Sequence, residues 1–148
     1  MNALQLTPAS YISFLVLYRY YDRRYQALFG NAFSQGSTVQ NEQGVYMGLQ
    51  LTPTARWKLS VYADLFRFPW LKYGIDARSG GQEYMAQIDY TPSRNYSAYL
   101  RYKYRQKEKN RTFENDNLLR INPYKQHRIR FQQVYNFSSP FIFKTSLD

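Results

Sequence analysis

Residues 44–68, GVYMGLQLTPTARWKLSVYADLFRF, alternate apolar and other side chains through two long runs joined by a proline-containing turn at 53–56. In the first run Val45, Met47, Leu49 and Leu51 share one face and Tyr46, Gly48, Gln50 and Thr52 the other. In the second, Trp57, Leu59, Val61, Ala63 and Leu65 oppose Lys58, Ser60, Tyr62, Asp64 and Phe66. A period of 2 held this long specifies a β-hairpin with one apolar face. Strands of globular proteins average about 5–6 residues, and these run roughly twice that. Twelve residues at about 3.3 Å each, tilted by about 40°, cover about 30 Å, the height of a bilayer's apolar layer.

The theme recurs along the chain. Leu4-Gln5-Leu6-Thr7-Pro8 repeats as Leu49-Gln50-Leu51-Thr52-Pro53, and Ile88-Asp89-Tyr90-Thr91-Pro92 is a looser third copy, each followed by a long alternating run. Proline presets φ for a turn and lacks the N–H that a continuing ladder needs, so short turns are expected near 8–10, 53–56, 92–95 and 138–140. The breakers and charges between the remaining runs predict long loops near 22–42, 69–82 and 106–124. The expected fold is all-β, an antiparallel up-and-down meander of about eight long strands in one domain spanning residues 1–148. Short turns at one end and long loops at the other are the connection pattern of a transmembrane β-barrel. The first and last strands, near 2–7 and 141–148, are half length, and the opening MNALQLTPAS has no basic segment followed by an apolar one. An eight-stranded closed barrel is possible on number alone, and a signal could have been removed, but two half-length strands make poor closure partners in lipid, so a fragment of a larger barrel is the favoured expectation.

Composition bears on which membrane architecture is allowed. Mean hydropathy is −0.64, and no apolar run approaches the roughly 18 residues of a membrane helix, which excludes a helical membrane protein. Aromatics are 19% of the chain, led by 16 Tyr, and an apolar ring with a polar tip suits the headgroup level at either edge of a barrel. Trp57, Phe68, Trp70, Tyr96 and Tyr104 are the expected girdle residues. Extending the parity of residues 44–68 through the repeats assigns Phe14, Val16, Val45, Met47, Leu49, Leu59, Val61, Leu65, Ile88 and Leu100 to lipid. With no Cys, neither a disulfide framework nor a thiolate metal site exists.

A net charge of +10 with pI ≈ 9.8 would by itself suggest nucleic acid, but its placement argues otherwise. The same parity turns Arg19, Lys58, Arg101, Lys103, Arg105, Arg128, Arg130 and Lys144 inward, with Asp64, Glu83 and Asp89. Charges facing a polar lumen are ordinary in barrels, whereas Lys or Arg facing lipid at mid-depth costs about 2–4 kcal/mol. A basic lumen would favour anionic solutes or a strand of nucleic acid; a solvated or plugged interior, its charges paired to further strands, is the plainer reading. Arg67, Lys72, Arg78, Lys107, Lys109 and Arg111 fall near the outer rim, where lipopolysaccharide phosphates or water would meet them.

The stretches YYDRRYQALFGNAFSQGSTVQNEQGVYMGLQ, RWKLSVYADLFRFPWLKYGIDA and YTPSRNYSAYLRYKYRQKEKN resemble the β-barrel region of a Bacteroidota family usually labelled helix-hairpin-helix-containing or competence-type. The resemblance covers most of the chain, from Tyr20 through Lys109, and implies a barrel in a Gram-negative outer membrane. The helical pair with a Gly-rich hairpin that gives the family its label is absent from these residues, so DNA binding does not carry over. The resemblance brings no catalytic residues.

Other constellations are thin. His127, the only histidine, has no carboxylates at metal-ligand spacing, and pairing it with a loop serine such as Ser79 as a hydrolytic dyad has no support in spacing. Phe66-Arg67-Phe68-Pro69-Trp70 reads as outer girdle and loop start rather than as a ligand cluster. No phosphate loop, paired-carboxylate motif or cofactor motif is present, and no catalysis is expected. The favoured function is an outer-membrane barrel segment with a structural, pore or transport role, whose partners are outer-membrane lipids, lipopolysaccharide and the remaining strands of a larger barrel. The alternative is a soluble basic β protein binding single-stranded nucleic acid by stacking and phosphate contact. That function needs aromatics and cations on one face, yet residues 96–105 put Tyr102 and Tyr104 opposite Arg101, Lys103 and Arg105.

Overall fold

A computed structural model describes residues 1–25, 33–36, 39–71, 78–113, 116–138 and 141–147, with side chains described outside 109–121, 137–138 and 141. The alternating runs become eight strands: β1 (Asn2–Ala9), β2 (Ile12–Tyr21), β3 (Glu42–Thr54), β4 (Trp57–Phe68), β5 (Ser79–Ser93), β6 (Tyr96–Phe113), β7 (Asp116–Ser138) and β8 (Phe141–Leu147). They form one sheet in chain order, each neighbouring pair antiparallel, and no helix occurs among the described residues. The expected all-β up-and-down meander is therefore present. β1 and β8 are the two edges of the sheet and are not hydrogen-bonded to one another.

The repeated Leu-x-Leu-Thr-Pro sequence has a structural counterpart. The register shifts between Leu6 and Ala9, between Leu51 and Thr54, and between Tyr90 and Ser93, so Thr-Pro sits in a bulge each time. A bulge leaves a residue out of the ladder, and so accepts proline's missing N–H. Proline therefore lies just inside the strand end, and the turn itself is the next residue pair: Ser10-Tyr11, Ala55-Arg56 or Arg94-Asn95. The turns are laced to the following hairpin, since Thr52 N donates to Tyr11 O, Thr91 N to Arg56 O and Asn136 N to Asn95 O, each at 2.8 Å.

At the opposite end the loops depart from expectation. Of the stretch 22–42, residues 26–32 and 37–38 lie outside the described residues, as do 72–77 of the stretch 69–82 and 139–140 of the last turn. β5 begins at Ser79, which shortens the second loop. The expected loop at 106–124 is a ladder instead, unbroken from Gln106↔Lys125 to Thr112↔Leu119. Its charges read as a solvated loop, but backbone pairing does not itself require an apolar face, so the strand outlasts the alternation that identified it. Pro123 lies within this ladder, opposite Glu108.

With a single sheet there is no core between layers. Instead, Tyr21, Phe66 and Phe68 are buried together with Arg19, Glu42, Asp64, Ser79 and Glu83. Gly81, opposite Phe66, admits that ring: a Cβ at position 81 would lie 2.6 Å from Phe66 Cζ and 2.5 Å from Gln106 O. Gly81→Ala is expected to destabilise the sheet by about 1–3 kcal/mol through overpacking, measured by urea unfolding in detergent micelles; a change within about 0.5 kcal/mol would show that the ring yields freely.

Candidate functional site: the polar face and its ion cluster

Register assigns faces without ambiguity. The row Leu17↔Tyr46↔Asp64↔Glu83↔Arg105 and its neighbour Leu15↔Gly48↔Tyr62↔Met85↔Lys103 belong to one face. The rows Val16↔Met47↔Ala63↔Tyr84↔Tyr104 and Phe14↔Leu49↔Val61↔Ala86↔Tyr102 belong to the other. Arg19, Lys58, Arg101, Lys103, Arg105, Arg128, Arg130 and Lys144 all have the parity of the first, polar face. Phe14, Val16, Val45, Met47, Leu49, Leu59, Val61, Leu65, Ile88 and Leu100 all have the parity of the second.

The polar face is organised by Arg19, which is 0% exposed. Its Nε donates to Glu42 Oε1 at 2.6 Å, and its two terminal nitrogens donate to Asp64 Oδ1 and Oδ2 at 2.7 and 3.1 Å. Arg19 stands on β2 and Asp64 on β4, so the guanidinium reaches across β3. It passes over Gly44, its direct partner, where a Cβ would lie 2.7 Å from Arg19 Cζ and 2.9 Å from Leu65 O. One cation against two buried carboxylates leaves lone pairs to satisfy, and residues 33–36 satisfy them. Ser34 Oγ donates to Glu42 Oε2 at 2.8 Å, the backbone N of Gln35 at 2.9 Å and that of Gly36 at 3.1 Å. The Phe33 ring lies 4.9 Å from Arg19 Cζ.

Gln35 carries the cluster across the sheet. Its Nε2 donates to Asp64 Oδ2 at 2.7 Å, while its Oε1 accepts from Arg105 at 2.8 Å and its backbone O from Lys107 Nζ at 3.0 Å. Glu83, nearly fully buried, accepts from Tyr62 Oη at 2.6 Å and pairs with Lys103 at 2.9 Å and Arg105 at 2.6 Å. The segment 33–36 is thus tied down on the polar face of β3, β4 and β6. Asn41 sets the entry to β3: at φ 53° it occupies the left-handed region that asparagine tolerates, and its side chain both donates to Trp70 O and accepts from Trp70 N, each at 2.9 Å.

The apolar face is the exposed one. Leu4, Leu6, Met47, Leu49, Val61, Leu65, Ile88, Leu100, Ile129 and Leu147 are all exposed large hydrophobics on it. Its limits run obliquely across the ladder. Toward the loops the limit is Val45 on β3, whose row leads through Leu65, Gln82 and Gln106 to Lys125, but on β7 the limit is Ile129, four residues away. Toward the turns it is Leu51 on β3, whose row ends at Phe131, but on β7 it is Tyr135, again four residues away. Four residues over four strand steps is one residue per strand, or about 3.3 Å for every 4.8 Å across, an inclination of about 35°. Aromatic pairs follow the turn-side limit, with Trp57 and Tyr90 centroids 4.3 Å apart and Tyr96 and Tyr135 6.2 Å apart.

Of the expected girdle, Trp57, Tyr96 and Tyr104 lie on the apolar face, and Trp70 is exposed just past the end of β4. Phe68 is a correction. It shares the parity of Phe66, is 4% exposed, and packs edge-on against Phe66 at 5.8 Å, so it is buried on the polar face and does not ring the sheet. Ser79 and His127 are not brought together: Ser79 pairs with Phe68 on the polar face, while His127 sits on the apolar face with Nδ1 2.9 Å from Tyr102 Oη. Lys72 and the side chains of Lys109 and Arg111 lie outside the described residues. Sequence reasoning missed Glu42, Ser34, Gln35 and Tyr62; for Glu42 the signal was parity with Gly44 and Tyr46, had the strand been extended by two residues.

No protein-family model matches this chain, and neither the curated proteins nor the solved structures contain a match to it.

Removing Arg19 would leave Glu42 and Asp64 buried without their cation. Arg19→Met is expected to cost about 3–5 kcal/mol in urea unfolding, with much of the loss recovered when Glu42→Gln and Asp64→Asn are added. A single-variant loss below about 1 kcal/mol would remove the cluster from its organising role.

Proposed function

We propose that this chain is a segment of an outer-membrane β-barrel with a structural, pore or transport role, a basic inward face and no catalytic activity. The observation that carries the reading is the inverted distribution of side chains. The charged groups Arg19, Glu42 and Asp64 are fully buried, and the large apolar ones lie exposed across one continuous face. In water such a face would greatly exceed the few hundred Å² that soluble monomers expose; against lipid it is the ground state.

Two features of the apolar band support lipid as its neighbour. Its inclination of about 35° matches the strand tilt of transmembrane barrels, about 35–45°, because a band that is level in a membrane must cross tilted strands obliquely. Its height also fits. Trp57 to Leu65 on β4 and Tyr96 to Tyr104 on β6 each span eight residue steps, about 26 Å along the strand and about 22 Å after projection, close to the roughly 25 Å apolar band of outer-membrane barrels. On this reading the polar face lines the lumen, residues 33–36 narrow it, and β1 and β8 pair with further strands, since open edges are not tolerated in lipid. The Bacteroidota barrel resemblance points the same way, and the partners are then outer-membrane lipids and lipopolysaccharide. Binding of single-stranded nucleic acid is disfavoured, because the exposed tyrosines of β5 and β6 lie on the face opposite to Arg101, Lys103 and Arg105.

Tagged protein produced in the envelope of a Gram-negative host is expected in the carbonate-resistant membrane fraction, with surface protease cutting only in the connections after β2, β4 and β6. Recovery as soluble cytoplasmic protein would overturn the assignment. Within the sheet, Leu49→Arg and Val61→Arg are each expected to lower stability in lipid vesicles by about 2–4 kcal/mol, and Ser60→Arg, on the polar face, by less than about 1 kcal/mol. Equal losses on both faces would contradict a lipid-facing band.

A further inference from the structure

Between the ion cluster and the turns, the polar face of β2 to β5 changes character. Two successive rows, Leu15↔Gly48↔Tyr62↔Met85 and Ser13↔Gln50↔Ser60↔Gln87, hold no charged residue. Charge stands on the next polar-face row in either direction, with Asp64 and Glu83 toward the loops and Lys58 and Asp89 toward the turns. The window is bordered by ions and contains none.

Aromatic rings lie over its loop side. A Cβ at position 48 would lie 3.1 Å from Tyr46 Cε1 and 3.3 Å from its Oη, so the Tyr46 ring leans along the strand over Gly48, where no side chain lifts it from the sheet. The Tyr62 ring stands beside it, centroids 5.2 Å apart and planes tilted by 34°, and the Phe33 ring meets it nearly at right angles, also at 5.2 Å. Tyr62 is itself fixed by its hydrogen bond to Glu83. On the turn side, Ser13, Gln50 and Ser60 sit abreast on three neighbouring strands, about 4.8 Å apart. Their side chains and the Tyr46 hydroxyl make no hydrogen bond to any described residue. Gln87, the next in that row, is fully engaged: its Nε2 donates to Asp89 at 2.7 Å and its Oε1 accepts from Arg101 at 2.6 Å.

We infer that this window binds a neutral sugar, one pyranose ring lying against Tyr46 and Tyr62 with its hydroxyls on Gln50, Ser60 and Ser13. A pyranose carries C–H groups on its ring faces and hydroxyls around its rim. The slightly positive C–H groups suit the negative face of an aromatic ring, and each hydroxyl donates and accepts at once, as a carboxamide and a serine hydroxyl do together. The absence of charge sets the ligand class. A phosphate or carboxylate would be drawn to Arg101 and Lys103 on β6, outside the window, and an apolar solute would leave the amide and hydroxyl groups without partners. A neutral polyol uses both the rings and the free polar groups. The inference rests on the proposed barrel insofar as that face is a water-filled lumen.

The test is isothermal titration of the full chain, refolded in micelles of a detergent without a sugar headgroup, with the neutral trisaccharides maltotriose, cellotriose and tri-N-acetylchitotriose and, separately, with anionic trigalacturonate. At least one neutral sugar is expected to bind one-to-one in the millimolar range or tighter, at least tenfold more tightly than trigalacturonate, with affinity unchanged as salt is raised. The double variant Gln50→Ala/Ser60→Ala, which removes no hydrogen bond between described residues, is expected to weaken that binding at least tenfold, and so is Tyr46→Leu, checked as folded by circular dichroism. Tyr84→Ala, which removes an exposed ring from the apolar face, is expected to leave it unchanged. No binding of any of the three neutral sugars, tighter binding of trigalacturonate, or an equal loss in Tyr84→Ala would overturn the inference; should Tyr46→Leu not fold, the double variant decides by the same criterion. Insertion of the wild-type chain into lipid vesicles, scored separately, tells the two readings apart. A chain that inserts but ignores all three sugars sinks this site alone, and one that binds a sugar without inserting sinks the barrel.

Discussion

Register is the constraint on which everything else in this sheet rests. Side chains alternate with period 2, so a slip of one residue between any two strands would carry Arg, Glu and Asp to the face now occupied by Leu, Val and Ile. Two devices at opposite ends of the strands prevent it. At the turn end, the Thr-Pro bulges and two-residue turns set where each hairpin folds back, and the bonds from Thr52, Thr91 and Asn136 to the preceding turns tie successive hairpins together. At the loop end, Arg19 spans three strands, and it can do so only in the register that places Gly44 beneath it. A slip would set a side chain in that gap and strand two carboxylates.

The buried ion cluster also explains how a single sheet without a second layer holds its polar face in order. A buried charge is tolerable only when its remaining hydrogen-bonding capacity is filled, and neighbouring strands cannot fill it, because their backbone groups are committed to the ladder. The segment 33–36 supplies free backbone amides and short polar side chains in their place, closing over Glu42 and Asp64. Phe66 and Phe68 are buried on the same face, edge-on to one another. The polar face is thus organised around the satisfied charges of Arg19, Glu42 and Asp64, while the opposite face is left to an apolar surrounding.

The legible parts of the sequence were those in which one residue's environment follows from its neighbours in the chain. Alternation gave strand identity, face and the up-and-down order, because the period of 2 is local and the repeated Leu-x-Leu-Thr-Pro marks each fold-back. Phe68 was misread because an aromatic cluster at a strand end was weighed by composition, when its parity with Asp64 and Phe66 already placed it inward. The ladder from Gln106↔Lys125 to Thr112↔Leu119 was missed for the converse reason: these residues lack apolar alternation, and backbone pairing does not depend on it. Gln35 and Ser34 were illegible in principle. Their role comes from contacts with Glu42, Asp64 and Arg105, which stand 7 to 70 residues away, and no local pattern carries that information.

Charge is segregated along the sheet, and this gives Gln35 its chemistry. Among the described side chains, the carboxylates of the polar face stand on β3, β4 and β5, as Glu42, Asp64, Glu83 and Asp89, while β6 to β8 carry cations there. The segment 33–36 lies on the boundary between the two fields and meets both, so its central side chain must donate on one side and accept on the other. An amide does this with one group, Nε2 turned to Asp64 and Oε1 to Arg105. A carboxylate at this position would face Asp64 with like charge, and an ammonium would do the same to Arg105. Only a neutral group with both a donor and an acceptor joins the halves without leaving a buried charge unpaired, so the loop's hold on the sheet follows from the charge pattern of strands that are remote from it in the chain.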